Sequence, residues 1–196
     1  MIKKSLLVGI AALSIVSFST QTIAAKGVHT VENGESLWDI GKEKSVSVLQ
    51  LKKVNDLKSN EIHPGQTLAI PENEVTNEDR ELLAKLVHAE AKGEPYAGKV
   101  AVATVVLNRV DSTEFPGSIK EVIYQVANGH YAFSPVQNGE INQAPSQESR
   151  DAVQEALAFR GQGQGSLFFY NPVTSTSDWI TNRETMLTIG KHRFAK

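Results

Sequence analysis

Cysteine is absent from this 196-residue chain. That excludes disulfides, thiolate nucleophiles and cysteine-ligated zinc. An excess of positive charge is missing too: 20 Lys and Arg face 22 Asp and Glu, for a formal net charge of -2. Nucleic-acid binding normally shows as a basic patch or stripe and gains no support from that balance. No His-Glu-x-x-His occurs, although His88-Ala89-Glu90 superficially resembles part of a metal motif. His88, His130 and His192 are read as surface or packing residues, and neither a metal nor a cofactor is expected. Gly161-Gln162-Gly163-Gln164-Gly165 mimics part of a nucleotide-binding glycine motif, but it follows a helical pattern rather than a strand. A loop is the expected outcome there.

What is present begins with a segment that reads as a secretory signal. Lys3 and Lys4 precede an apolar run from Ser5 to Phe18, and Ala24 and Ala25 offer small residues for cleavage. The run is shorter than the ~20 residues a spanning helix needs, so a cleaved signal over residues 1–25 is expected rather than a retained anchor. Its removal would leave 18 basic and 22 acidic residues, a net charge of -4. Secretion without disulfides fits a bacterial envelope.

Residues 26–72 are separately punctuated. Val28-His29-Thr30-Val31 is a β-branched run followed by the turn-like Glu32-Asn33-Gly34. Ser36 can cap a helix carrying Leu37, Trp38 and Ile40, which Gly41 would loosen, and Val46 to Val54 suits a second short helix. Pro64-Gly65 then turns the chain into Thr67-Leu68-Ala69-Ile70-Pro71. The expected order is strand, helix, helix, strand. These residues resemble a LysM module over about 45 residues. The resemblance implies binding to glycans that contain N-acetylglucosamine, in a groove between two loops. The implied contact residues are Gly34, Glu35, Ser36 and Leu37 on one loop and Leu57, Ile62 and His63 on the other. Trp38 is either a stacking residue or core, and its place in the helical pattern favours core.

A short polar connector, 73–77, leads into a second module over 78–196. Thr76 with Asp79 reads as a capping box that starts a helix. On that helix Leu83, Val87 and Glu90 follow steps of four and three, with Leu86 beside them. The face is apolar until its last turn, where a carboxylate appears. Burial would raise the pKa of Glu90 and suit it to protonate a glycosidic oxygen. Periodicity alone equally permits Glu90 to turn outward at a frayed helix end. Gly98 to Val110 is apolar nearly throughout, either buried helix or buried strand. Ser118 with Glu121 makes a further capping box, opening a helical stripe that ends near Gly129. Gln147 to Arg160 is a helix stopped by Gly161, and Leu167 to Tyr170 a strand broken by Pro172.

This second part resembles the SleB/CwlJ family of bacterial cell-wall hydrolases over nearly all of residues 78–194. The carrying motifs are Ala89-Glu90-Ala91-Lys92-Gly93-Glu94-Pro95-Tyr96-Ala97-Gly98, Leu107-Asn108-Arg109-Val110, Phe133-Ser134-Pro135-Val136, Phe169-Tyr170-Asn171-Pro172, Trp179-Ile180 and Thr188 to Phe194. Many members end in Phe-x-Cys, whereas Ala195 and Lys196 follow Phe194 here. The family's active-site glutamate falls on Glu90. The resemblance implies cleavage of peptidoglycan glycan strands, typically as a lytic transglycosylase with a lysozyme-like active-site helix. Because the attacking hydroxyl belongs to the substrate, no second carboxylate nucleophile is needed. Glu94 is read as structural. Thr104 would either hold the Glu90 rotamer or bond its own helix backbone. Phe133, Ser134, Tyr170, Asn171 and Trp179 are candidate cleft residues, with packing as the other reading for each.

The expected fold class is α+β: a small βααβ module followed by a mainly helical, lysozyme-like or transglycosylase-like domain with a small β element. The expected protein is a secreted, cell wall-associated enzyme, from either a vegetative or a spore context. Its partner is peptidoglycan, with no nucleic acid, no stable membrane insertion after signal cleavage, and a monomeric state. The competing readings are a hydrolytic muramidase, an N-acetylmuramoyl-L-alanine amidase and a glycan-binding protein without catalysis.

Overall fold

The computed structural model describes residues 25–127 and 129–196. Apart from Ala25, the expected signal segment lies outside the described residues. The N-terminal unit has the expected βααβ order. Strand β1 (Ala25–Thr30) pairs antiparallel with β2 (Thr67–Pro71), in a register that sets His29 opposite Leu68 and Thr30 opposite Thr67. Between them lie helices α1 (Leu37–Lys44) and α2 (Val48–Val54). Ser36 and Asp39 form a reciprocal capping box on α1, and the Ser47 hydroxyl accepts from Leu49 N on α2, so both helix starts satisfy backbone N–H groups locally. Leu37, Ile40, Leu51 and Leu68 are almost fully buried at the centre of this unit. Asn55 clips helix to strand: its amide donates to the Leu51 and Ala69 carbonyls and accepts from Ala69 N.

The second unit is built on two helices that α7 packs against. Helix α3 (Asn77–Glu90) starts at the Thr76–Asp79 capping box. Gly98 to Val110 resolves as helix α4 (Tyr96–Asp111), long enough to bury Val102, Ala103, Val106 and Leu107 completely. Then come α5 (Ile119–Ile123), the two-residue strands β3 (Val126–Ala127) and β4 (His130–Tyr131), α6 (Ser134–Asn138), a 3-10 turn (Glu140–Asn142) and α7 (Gln147–Phe159). After them the chain adds β5 (Phe168–Tyr170), α8 (Asp178–Thr181), β6 (Thr185–Ile189) and β7 (His192–Ala195). The last three strands form one antiparallel sheet in the order β5-β7-β6. Alternation along β5 sends Phe169 toward the helical core, together with Phe194 and Leu187. Phe168 and Tyr170 face the opposite side, against Ile180 of α8.

Three local expectations change. The stripe beginning at Ile119 stops at Ile123 rather than near Gly129, because Val126 pairs with Tyr131 in the β3–β4 hairpin and stands 56% exposed. At Ser118 only half a capping box forms. Its hydroxyl accepts from Glu121 N, while Glu121 bonds that same hydroxyl rather than the cap backbone.

Gly41 does not loosen α1; it lets α1 approach α7. A Cβ there would lie 3.0 Å from the Val46 carbonyl oxygen and 3.3 Å from Ala158 Cβ. Around that approach the Trp38 ring meets Phe159 edge-on at 6.2 Å and the Ser47 hydroxyl donates to the Arg160 carbonyl at 3.0 Å. The connector is anchored as well, since Val75 is buried in the core of the second unit and Asn73 donates to the Ser45 carbonyl. Trp38 is therefore half-buried packing between units, in keeping with the core reading. Substituting Gly41→Leu overpacks this seam and is expected to cost about 1–3 kcal/mol. Differential scanning calorimetry should show the single unfolding transition splitting in two. A wild-type-like single peak would show that the seam does not couple the units.

Candidate active site

The α3 stripe carries Leu83 and Val87 into the core at zero exposure, and Glu90 continues the same face as the last helical residue. Ala91 caps the helix and is buried, and Gly93 at φ +83° turns the chain away. Glu90 remains partly exposed, so its carboxyl group stands where protein and solvent meet. Burial pushes its pKa up to about 7, with the Glu140 carboxylate adding to the rise and the Arg109 guanidinium opposing it. A carboxyl group at that value exists in both protonation states near neutral pH, as a group that must both give and take a proton requires.

In the sequence Arg109 appears only within the Leu107-Asn108-Arg109-Val110 motif, with no role attached, and Glu140 carries no signal. Arg109 is buried on α4, and its Nε donates to the Leu167 carbonyl at 2.7 Å. Its guanidinium carbon lies 5.0 Å from the ring centres of Phe115 and Phe133 and 5.4 Å from that of Phe168. Burial lowers its pKa to about 10, with Glu90 opposing, and the group stays cationic at neutral pH. Glu140 is exposed on the 3-10 turn that packs against α3. Its separation from Glu90 by fifty positions leaves no local pattern that would link the two.

Of the other expected cleft residues, Phe133 is buried, stacked against Phe169 at 6.3 Å and against Arg109. Ser134 is exposed at the start of α6, which packs against α3. Thr104 does not reach Glu90: its hydroxyl donates to the Val100 carbonyl at 2.9 Å, the backbone bond of its own helix. Tyr170 is buried on the far face of the sheet, with its hydroxyl unpartnered. Asn171 closes β5 by accepting from Val173 N. Trp179 is 59% exposed on α8, edge-on to Phe168 at 5.2 Å and beneath the Arg183 guanidinium at 4.3 Å. Phe133 packs with Phe169, whereas Trp179 packs with Phe168 and Tyr170 with Ile180, and the Arg109 guanidinium meets the rings of both Phe133 and Phe168.

Glu94 is buried, and its carboxylate accepts from Lys191 N at 2.9 Å, which ties the α3–α4 turn to the β6–β7 turn. A side chain on Gly190 would collide with that carboxylate. His192 packs on Phe169 at 5.3 Å, and burial lowers its pKa against the pull of Glu94. His88, His130 and His192 stand on different elements, and no cluster of three metal-ligating side chains occurs among the described residues.

In the N-terminal unit Gly34 takes φ +88°, and Glu35 accepts from Glu32 N at 2.7 Å and pairs with His29 at 2.8 Å. These contacts hold the Glu35 carboxylate below its usual range, the Glu32 N–H contributing most. Ser36 is committed to capping, and Leu37 is 2% exposed, its side chain packed in the core. Leu57 and Ile62 are half-buried against the same core, while His63 is exposed.

Residues 93–195 match the Cell Wall Hydrolase family, and residues 29–71 match the LysM domain. The spore cortex-lytic enzyme of Bacillus subtilis strain 168 is 41% identical over 121 residues, covering 62% of this chain and 38% of that protein. The spore cortex-lytic enzyme of Halalkalibacterium halodurans is 41% identical over 119 residues, covering 61% of this chain and 35% of that protein. This chain therefore spans well under half the length of both. Among solved structures, the catalytic domain of the germination-specific lytic transglycosylase SleB from Bacillus anthracis aligns with a TM-score of 0.58 and 38% identity, over 64% of this chain and 99% of that one. With the match covering more than half of its length, the chain belongs to the cell wall hydrolase family and carries a LysM domain ahead of that region.

Proposed function

We propose that this chain cleaves the glycan strand of peptidoglycan between N-acetylmuramic acid and N-acetylglucosamine, as a lytic transglycosylase with Glu90 as its acid and base. The observation that carries the reading is the Glu90 carboxyl at the end of a buried helical stripe, its pKa raised to about 7. Protonated Glu90 donates to the glycosidic oxygen as the bond to the muramic acid C1 breaks. The muramic acid 6-hydroxyl oxygen then bonds to C1, and the Glu90 carboxylate takes that hydroxyl's proton. A 1,6-anhydro ring closes, Glu90 is protonated again, and no water is consumed. The Arg109 charge keeps the intermediate carboxylate from becoming prohibitively costly. The names of the spore cortex-lytic relatives and of the solved lytic transglycosylase domain support the same chemistry.

In this reading residues 26–72 form the LysM module that holds the glycan, 73–77 the connector, and 78–196 the catalytic domain. Residues 1–25 serve as a secretory signal, and the mature protein acts in the cell wall as a monomer. A hydrolytic muramidase is the second reading, favoured by one observation: Glu140 supplies another carboxylate whose charge bears on Glu90.

The reaction is tested by mass spectrometry of peptidoglycan digested by the mature chain, with Glu90→Gln as control. Anhydro products, one water lighter than hydrolytic muropeptides and absent with the variant, are expected. Reducing-end products would establish hydrolysis and direct attention to Glu140→Gln. Released stem peptides on intact glycan would sink the glycosidase reading. Activity on wild-type substrate is expected to decline as pH rises through about 7, as Glu90 loses the proton it must donate.

The same titration acts on stability. Folded Glu90 holds its proton more tightly than the unfolded chain, so folding loses stability as pH climbs from the ordinary 4.5 to about 7 and bears the full cost above that. Glu90→Gln removes the cost. Urea unfolding should show the variant more stable by on the order of 2 kcal/mol near pH 8 and indistinguishable near pH 4. Equal differences at both values would mean that Glu90 titrates normally.

A further inference from the structure

A groove of about 450 Å³ runs along α4, and Glu90 is not among the residues that line it. Its floor is apolar, formed by Val100, Ala101 and Val105 of α4 with Leu187 and Ile189 of β6. Its rim is polar but carries no charge: Thr104 and Asn108 on α4, and Gln162, Gln164 and Ser166 on the glycine-rich loop after α7. The other large cavities differ. The one between β1, β2 and the start of α3 carries Lys44 and Arg80, and one of about 350 Å³ that shares Asn108 and Gly163 with this groove carries Asp111, Glu114 and Lys196.

One polar group in this groove lacks any partner within the protein. Ser166 is 6% exposed and lines the groove, yet its hydroxyl has no hydrogen bond. An orphaned buried hydroxyl costs free energy unless something else satisfies it. The neighbouring groups are only partly engaged within the protein. Asn108 donates to the Ser166 carbonyl, Thr104 to the Val100 carbonyl and Gln162 to the Ala158 carbonyl. Asn108 and Gln162 each keep a second amide hydrogen, and with Gln164 they leave neutral donors and acceptors over an apolar floor, which suits a ligand bearing hydroxyl and amide groups with a C–H face. No charged side chain lines the groove itself, although Lys196 stands beside Gly165 of the same loop. The groove also adjoins the LysM unit: Phe159 lines it and meets Trp38, and Gly161 beside it lies against Leu49.

We propose that this groove is a second saccharide site, which takes a neutral N-acetylhexosamine unit of a glycan strand and whose lining does not include the catalytic carboxylate. The inference rests on the peptidoglycan reading above but assigns a site that reading does not use. Thr104 and the glycine-rich loop then act in glycan holding rather than beside Glu90.

The probe is chitotetraose, an uncharged N-acetylglucosamine oligomer without the muramic acid linkage that the proposed reaction cuts. It is titrated into the isotope-labelled mature chain and followed by amide chemical shifts. Two sets of shifts are expected, one in the LysM loops and one at Thr104, Asn108 and residues 162–166. Ala101→Phe, which fills the groove, should weaken the second set by roughly tenfold or more and leave the first unchanged. Ser166→Ala should weaken the second set while leaving the thermal midpoint equal or higher, because the hydroxyl it removes stabilises nothing within the protein. Shifts confined to the LysM loops, a second set that survives Ala101→Phe, or no shifts at all would overturn the proposal. Failure of the wider reading shows separately, as peptidoglycan left uncut by the mature chain.

Discussion

The buried guanidinium of Arg109 is the group on which the arrangement of the second unit depends. It lies within about 5 Å of the centres of three phenyl rings and donates to the backbone at the entrance to β5. Rings that stack on a cation are held in place by it, and the cation is held by their faces. α4, the segment before α6 and the edge of the sheet are thereby pinned to one point. The charge at that point also acts on Glu90. Removing it would leave both a packing defect among the rings and a carboxyl with still less reason to ionise, so structure and chemistry cannot be altered separately here.

Helix α7 has a comparable role between the units. One side of it packs against α3 and α4, and its C-terminal end receives α1 across the Gly41 approach. The Lys42–Glu155 pair at this seam is partly exposed and separated by 3.7 Å, so it adds little to the close packing of Trp38, Phe159 and Ala158. Shape, more than charge, joins the two parts.

Much of this was legible in the sequence because it is local. Caps at Ser36 and Thr76, the turn at Pro64-Gly65 and the stripe that ends at Glu90 are each written within one or two helical turns. The apolar run at Gly98 to Val110 became assignable only once its length allowed α4 to be covered by α7 and the sheet. What stayed hidden depends on contacts between distant segments. Neither the action of Glu140 and Arg109 on Glu90 nor the packing of Phe133 and Trp179 on different residues of β5 has any signature in spacing. Gly41 shows the same limit from another side: as a residue inside a helix it reads as a weakness, and only its neighbour from α7 gives it a purpose. Val126 misled because it continued a stripe in sequence that the backbone had already left.

The close seam at Gly41 bears on how the protein would travel along a wall. A carbohydrate anchor on a slack leash lets a blade sample many bonds during one attachment. An anchor fused to the blade presents the same offset at every landing, so each attachment offers a single register and further cuts require release. Under the proposed function, dwell time on the wall then sets the working pace: a tight grip by the LysM domain would leave the enzyme parked beside bonds it had already cut.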